Sequence, residues 1–279
     1  MRFRTERVLQ FLILLSLLSE LSFAQGFQTY ERKSKSIPFP TGNSPGYSNQ
    51  EEKYNVGFYY IDLEVSNLNQ FIKGFASVNA RRVVSEIDTF VLELSGKLIV
   101  DSVLINEERQ TKIYHGNDLL KITLDNSKRK LDEYIARIYY HGTAGSEGFF
   151  SGISNGIANN WNQQVTYTLS EPFQAHDWFP VKQNLSDKAD SAWIFITVDS
   201  SLKAGSNGLL RDIKILEDGR RRYEWKTNYP IAYYLLSFSV GNYLDYSFYA
   251  HISETDSVLV QNYLYNSPGI LEKVKGIVD

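Results

Sequence analysis

From Tyr54 onward the chain keeps returning to one pattern: Tyr59, Ile61, Leu63 and Val65 alternate with Tyr60, Asp62 and Glu64. An extended strand with one buried face places every second side chain on the same side, and a helix does not. Similar runs cover Phe71–Ala80, Thr89–Leu94, Lys97–Ile105, Leu119–Leu124 and Tyr134–Tyr140, then Thr166–Leu169, Ser191–Val198, Leu209–Leu216, Arg222–Lys226 and Tyr233–Val240. Turn-forming residues lie between or after several of them: Gly96, Gly116-Asn117, Asn126-Ser127 and Gly142. Asp218-Gly219 predicts a hairpin turn, because Gly takes a positive φ without a Cβ clash. The pattern predicts an all-β fold, a large, mostly antiparallel β-sandwich or saddle, with the start of a helix at the C-terminal end.

Composition agrees with a packed sheet protein. Hydrophobic residues make up 43% of the 279 and charged residues 22%, which excludes a disordered chain. Its 19 Tyr and 16 Phe favour strands over helices. With no Cys, disulfides, thiolate zinc sites and cysteine nucleophiles are all excluded. Lys plus Arg number 29 against 32 Asp plus Glu, a formal net charge of -3. A general nucleic-acid binder needs a basic surface to release counterions, so no nucleic-acid partner is expected.

The two ends read differently. Residues 1–24 begin with Arg2, Arg4 and Arg7, pass through an apolar run to Leu18 and reach Ser22-Phe23-Ala24. This is the order of a secretory signal peptide, with cleavage expected after Ala24. A transmembrane anchor needs roughly 20 apolar residues, and the run from Val8 to Leu18 is short and contains Gln10. Export to the periplasm, cell surface or medium is therefore expected, with no integral membrane segment after cleavage. Residues 25–53, with Pro38, Pro40, Pro45, Gly42 and Gly46, read as a flexible lead-in. At the other end Ser267-Pro268 predicts a helix N-cap and first turn, followed by an apolar stripe of Ile270, Leu271, Val274, Ile277 and Val278. Such a helix fits either a docked C-terminal element or the opening of a further domain.

Few motifs carry chemistry. Gly142, Gly145 and Gly148 recur at every third position, but no Gly-Lys-Ser/Thr follows, so an ordinary loop is expected there. His115, His141, His176 and His251 are scattered, and none forms the His-Glu-x-x-His of a zinc hydrolase. Gly-x-Ser-x-Gly and Asp-x-Asp-x-Asp are absent as well. The densest cluster of unusual residues lies between Tyr167 and Ser191, where Glu171 stands immediately before Pro172. On its residues alone, Glu171 fits a cation-binding or acid–base role or a structural salt bridge.

That segment resembles the N-terminal domain of M1-family zinc aminopeptidases, most closely their secreted Bacteroidetes-type branch. The matching residues are Glu171-Pro172, Ala175-His176, Phe179-Pro180-Val181 and Asp187-Lys188-Ala189-Asp190-Ser191, with Trp178 and Lys182-Gln183 between them. Tyr139-Tyr140-His141-Gly142 is similar to the family's strand-ending Tyr-x-Gly, and Tyr229-Pro230 through Asn242-Tyr243 to the block closing its domain. Leu169 stands where some members carry a further Gln, and Val181 where Cys is usual.

The resemblance implies a β domain at residues 54–250 and, at 251–279, a linker and first helix leading to a catalytic domain that is missing here. It implies that Glu171 helps bind the free α-ammonium group of a peptide substrate, with no catalytic residue in this chain. It also implies Zn²⁺ in the missing domain and none bound by this chain. The expected function is the substrate-anchoring part of an exported zinc metallo-aminopeptidase. The alternative is a non-catalytic secreted β-sandwich that binds glycan or protein through aromatic rings such as Trp161, Trp178, Trp193 and Trp225. A family member serving only as a scaffold fits the same residues.

Overall fold

The computed structural model describes residues 48–145, 151–158 and 160–278, all within one compact unit, Gly42–Asp279. The expected signal peptide, the lead-in up to Tyr47 and Gly148 lie outside the described residues. In chain order the strands are β1 (Tyr54–Val65), β2 (Phe71–Arg82), β3 (Thr89–Glu93), β4 (Ile99–Ile105), β5 (Glu108–Arg109), β6 (Ile113–Gly116) and β7 (Leu119–Thr123). Next come β8 (Glu133–Thr143), β9 (Ile153–Ala158), β10 (Gln163–Thr168), β11 (Lys188–Ala189), β12 (Ser191–Val198), β13 (Lys203–Ser206), β14 (Leu209–Ile215) and β15 (Arg221–Thr227). The last are β16 (Ile231–Ala232), β17 (Phe238–Gly241), β18 (Tyr243–Asp245), β19 (Phe248–His251), β20 (Ser257–Val260) and β21 (Tyr263–Tyr265), before the helix α1 (Ile270–Val278).

The largest sheet has eight strands in the order β14-β15-β12-β1-β2-β8-β4-β5. Its pairs are antiparallel except β1 and β12, which run parallel with Ile61 beside Ile194. A four-stranded sheet, β13-β17-β10-β9, and a three-stranded sheet, β3-β7-β6, accompany it. The alternation in β1 has the expected result: Tyr59, Ile61, Leu63 and Val65 are buried. They share one core with Ala76 and Val78 of β2, Ile138 and Tyr140 of β8, and Ile194 and Ile196 of β12. Truncating one such residue, Ile61→Ala, removes apolar burial and leaves a void, a loss of about 2–5 kcal/mol. The Asp218-Gly219 turn forms as expected between β14 and β15, with Gly219 at φ 82°.

Four details depart from the sequence reading. Tyr233–Val240 is not one strand: Tyr233–Leu235 is a 3-10 turn, and the strand resumes at Phe238. The Tyr233 hydroxyl bonds the carbonyl of Pro172, so a tertiary contact overrides the β preference of the aromatic run. The helix begins at Ile270 and not at Pro268, because Gly269 sits at φ 74°, outside helical geometry. β5, β6, β9, β11, β13, β16 and β18–β21 fall outside the runs read as strands, most being only two to four residues long and β9 carrying Asn155 and Gly156. Finally, the lead-in ends in order: Asn49–Lys53 is a 3-10 turn closed by a reciprocal capping box between Ser48 and Glu51. Among the described residues no helix is long and apolar enough to cross a membrane.

Candidate functional site

Glu171 lies just past the end of β10, and the strand's alternation carries on to reach it. Tyr167, Leu169 and Glu171 are exposed, while Thr166, Thr168 and Ser170 between them are buried. Each buried hydroxyl is bonded: Thr166 to the Ser66 carbonyl at 2.7 Å, Thr168 from the Phe238 amide at 2.9 Å, and Ser170 from the Trp178 indole at 2.9 Å. The inward side of this stretch is therefore fixed, and period two turns the Glu171 side chain outward. Among the described residues the Glu171 carboxylate makes no hydrogen bond and no ion pair. The peptide bond from Glu171 to Pro172 is cis.

Beneath it lies a buried platform. Trp178 is fully buried against Phe179, with ring centres 4.4 Å apart, and against Phe238 at 5.3 Å. Gln183, also fully buried, accepts from the Ala175 amide at 2.9 Å and donates to Glu93 at 2.9 Å. Asp177 accepts from the Gly152 amide at 2.9 Å. A Cβ on Gly152 would come within 2.0 Å of the Gln174 carbonyl oxygen, so only glycine permits that approach. Lys182 and Asp187 form a buried ion pair at 2.5 Å.

Sequence-distant blocks meet here. The Tyr140 hydroxyl donates to the Trp178 carbonyl at 2.8 Å, and the Tyr233 hydroxyl to the Pro172 carbonyl at 2.6 Å. Burial raises both phenols above their ordinary range, so each stays a donor. Lys188 and Ala189 pair with Ala232 and Ile231. The three patches that carry the resemblance thus close around one segment, with Glu171 on its exposed side. A cavity of about 920 Å³ lies elsewhere, lined by Asn55, Lys182, Asp187 and Asp190 among others, and does not include Glu171.

The residues present do not suit a zinc ion. Among the described residues no three His, Cys, Asp or Glu side chains gather where a metal could sit. His115 bonds the Leu94 carbonyl, His141 pairs with Asp101, His176 bonds the Phe173 carbonyl and His251 meets Ser257. The four tryptophans are each held in the core or against a neighbouring side chain. Trp178 and Trp225 are buried, Trp161 stacks with Tyr265, and the Lys226 ammonium covers the Trp193 ring at 3.8 Å.

No protein-family model matches the sequence, and no curated protein does. Solved structures do match. A two-domain M1 zinc metallopeptidase mutant bound to L-arginine is 21% identical, with a TM-score of 0.64 over 81% of this chain and 49% of that one. The M1 zinc metallopeptidase from Deinococcus radiodurans is 22% identical, with a TM-score of 0.62 over 75% of this chain and 47% of that one. This chain carries the fold of part of an M1 zinc metallopeptidase. Yeast LTA4 hydrolase in complex with bestatin is similar at 16% identity, with a TM-score of 0.57 over 82% of this chain and 34% of that one. The chain spans about half the length of the M1 metallopeptidases it matches, or less.

Proposed function

We propose that this chain is the N-terminal, substrate-anchoring part of an exported zinc aminopeptidase, and that Glu171 receives the α-ammonium group of a peptide. The observation that carries this reading is an outward-facing carboxylate without a partner among the described residues, held at a strand end whose inward side is rigidly bonded. A carboxylate already paired with an Arg would have little left to offer a cation. A free one, once a second surface closes over it and lowers the local dielectric, binds an ammonium group far more strongly than in water. Similar structures were solved with a Tyr-Ser-Ala substrate and with L-arginine, both of which present an α-amine.

In this reading residues 54–250 form the anchoring domain, and 251–279 lead into a second domain that holds the zinc. Among the described residues no cluster of side chains suits a metal, and in this reading the hydrolytic chemistry belongs to that second domain. On the hairpin of β19 and β20, Tyr249 and Leu259 stand opposite each other and are both exposed, an apolar pair that supports a packing partner there. The charged start and apolar run ahead of Ala24 support export.

The test is a nuclear magnetic resonance titration of the chain with an alanyl peptide and with its N-acetylated twin. The free amine should shift resonances around Glu171, the acetylated peptide should not, and Glu171→Gln should remove the difference. Equal responses to both peptides sink the anchoring role. Chelator-sensitive turnover of alanyl-nitroanilide by this chain alone with added Zn²⁺ would overturn the division of labour between two domains.

A further inference from the structure

Three residues ahead of β1, the chain does something unusual with a charged side chain. Glu51, in the 3-10 turn Asn49–Lys53, is completely buried, while its neighbours Asn49 and Glu52 are exposed. One carboxylate oxygen, Oε2, accepts from the Ser48 amide at 2.8 Å. The other, Oε1, is buried without a hydrogen-bond partner among the described residues, and so is the Oε1 of Gln50 beside it. A short segment with two buried, unpaired oxygens is held less firmly than its burial alone indicates.

The groups around Glu51 do not favour its charge. From β3, Glu93 presents a second buried carboxylate. The Tyr54 and Tyr59 hydroxyls face it from β1, and burial raises both well above the ordinary phenol range, so neither is an anion. Lys182, the cation that opposes this shift, is already committed to Asp187 at 2.5 Å and to the Tyr54 carbonyl at 2.6 Å. We propose that Asn49–Lys53 is a proton-operated strap: it lies closed on β3 while the Glu51 carboxyl is neutral and is released as that carboxyl ionises.

The direction follows from linkage. Burial first, and the Glu93 charge second, push Glu51 from its ordinary 4.5 up to about 8, against smaller opposing effects of the Ser48 amide and Lys182. The closed strap therefore binds a proton that the open strap, with an ordinary carboxyl, has given up. The closed form is fully favoured below about 4.5, is progressively lost as pH rises, and loses no more above about 8. In that window each pH unit multiplies the open population by about ten. The strap is thus tight in acid and loose at neutral and alkaline pH.

Two amides report the strap: Glu51 N–H, bonded to the Ser48 carbonyl at 2.8 Å, and Val83 N–H, bonded to the Lys53 carbonyl at 2.9 Å. Their hydrogen exchange, corrected for the intrinsic effect of pH, should show opening constants rising about a hundredfold between pH 5.5 and 7.5. In Glu51→Gln the same constants should stay flat. A flat wild-type profile, or equal slopes in both proteins, overturns the proposal. If the Gln variant does not fold, the carboxyl ¹³C shift of Glu51 in the wild type decides: titration near 8 supports the strap, and an ordinary carboxylate midpoint refutes it.

Discussion

The Trp178 indole donates to the Ser170 hydroxyl at 2.9 Å, tying the buried aromatic block directly to the strand end that carries Glu171. Both residues are buried, so neither group has water as a substitute partner. Ser170→Ala should leave the indole N–H unpaired and lower stability by about 1–3 kcal/mol. A shift of the urea midpoint with an unchanged slope is the expected record. A change below the noise would show that the bond is not holding the strand end.

The Lys182–Asp187 pair should behave as a buried ion pair and not as a surface one, since the two side chains are only 3% and 11% exposed. Asp187→Ala strands the Lys182 ammonium and should lower stability by about 3–5 kcal/mol. Replacing both with apolar residues of similar volume, as in Lys182→Met with Asp187→Leu, should recover most of that loss. Thermal melts of the three proteins give the comparison.

Gly152→Ala should be among the most damaging small substitutions in the chain. Its new methyl would meet the Gln174 carbonyl oxygen at 2.0 Å and the Asp177 Cβ at 2.7 Å. Backbone on one side or the other has to move, an overpacking loss of about 1–3 kcal/mol or more. Loss of the dispersed amide resonances of residues 170–178 would record the damage.

Lys53 and Asp88, in contact at 2.7 Å, should add stability with a pH dependence opposite to that of Glu51. The hydrogen bond from Lys53 holds the Asp88 carboxyl below its ordinary range. A depressed carboxyl contributes stability that is present above its unfolded value and lost as acid protonates it. Asp88 is about half exposed, so the pair is screened and worth less than about 1 kcal/mol. Lys53→Ala should accordingly produce a small loss at neutral pH that disappears in acid and shrinks in high salt.

Glu171→Ala should leave the melting curve unchanged to within about 0.5 kcal/mol, because the carboxylate is exposed and has no bond to any described residue. Any marked destabilisation would give Glu171 a structural part in place of a ligand-binding one.

How much was legible varied with how locally each feature is determined. Ser191–Val198 reads as a strand from its own residues, and the observed β12 has the same bounds. Tyr233–Leu235 reads as strand too, yet its conformation answers to Pro172, sixty-one positions away, which no local window contains. β9 lacks a β-branched or aromatic alternation and exists because β10 pairs with it along its length and Asn155 bonds the Thr166 hydroxyl. Glu171 was found through its resemblance to a family and not through its charge, since an exposed carboxylate beside a proline is commonplace. Glu51 was overlooked among the polar residues of the lead-in. Its signal was present in Ser48-Asn49-Gln50-Glu51, the spacing of a capping box, but capping alone does not foretell complete burial.

The parallel pairing of β1 with β12 has a consequence in time. All of residues 66–190 separate these neighbours, and joining ends so far apart along the chain slows folding. During synthesis, one edge of β1 stays bare until Val198 has emerged from the ribosome. Until then the central sheet lacks the pairing that joins its two halves, and it cannot lock.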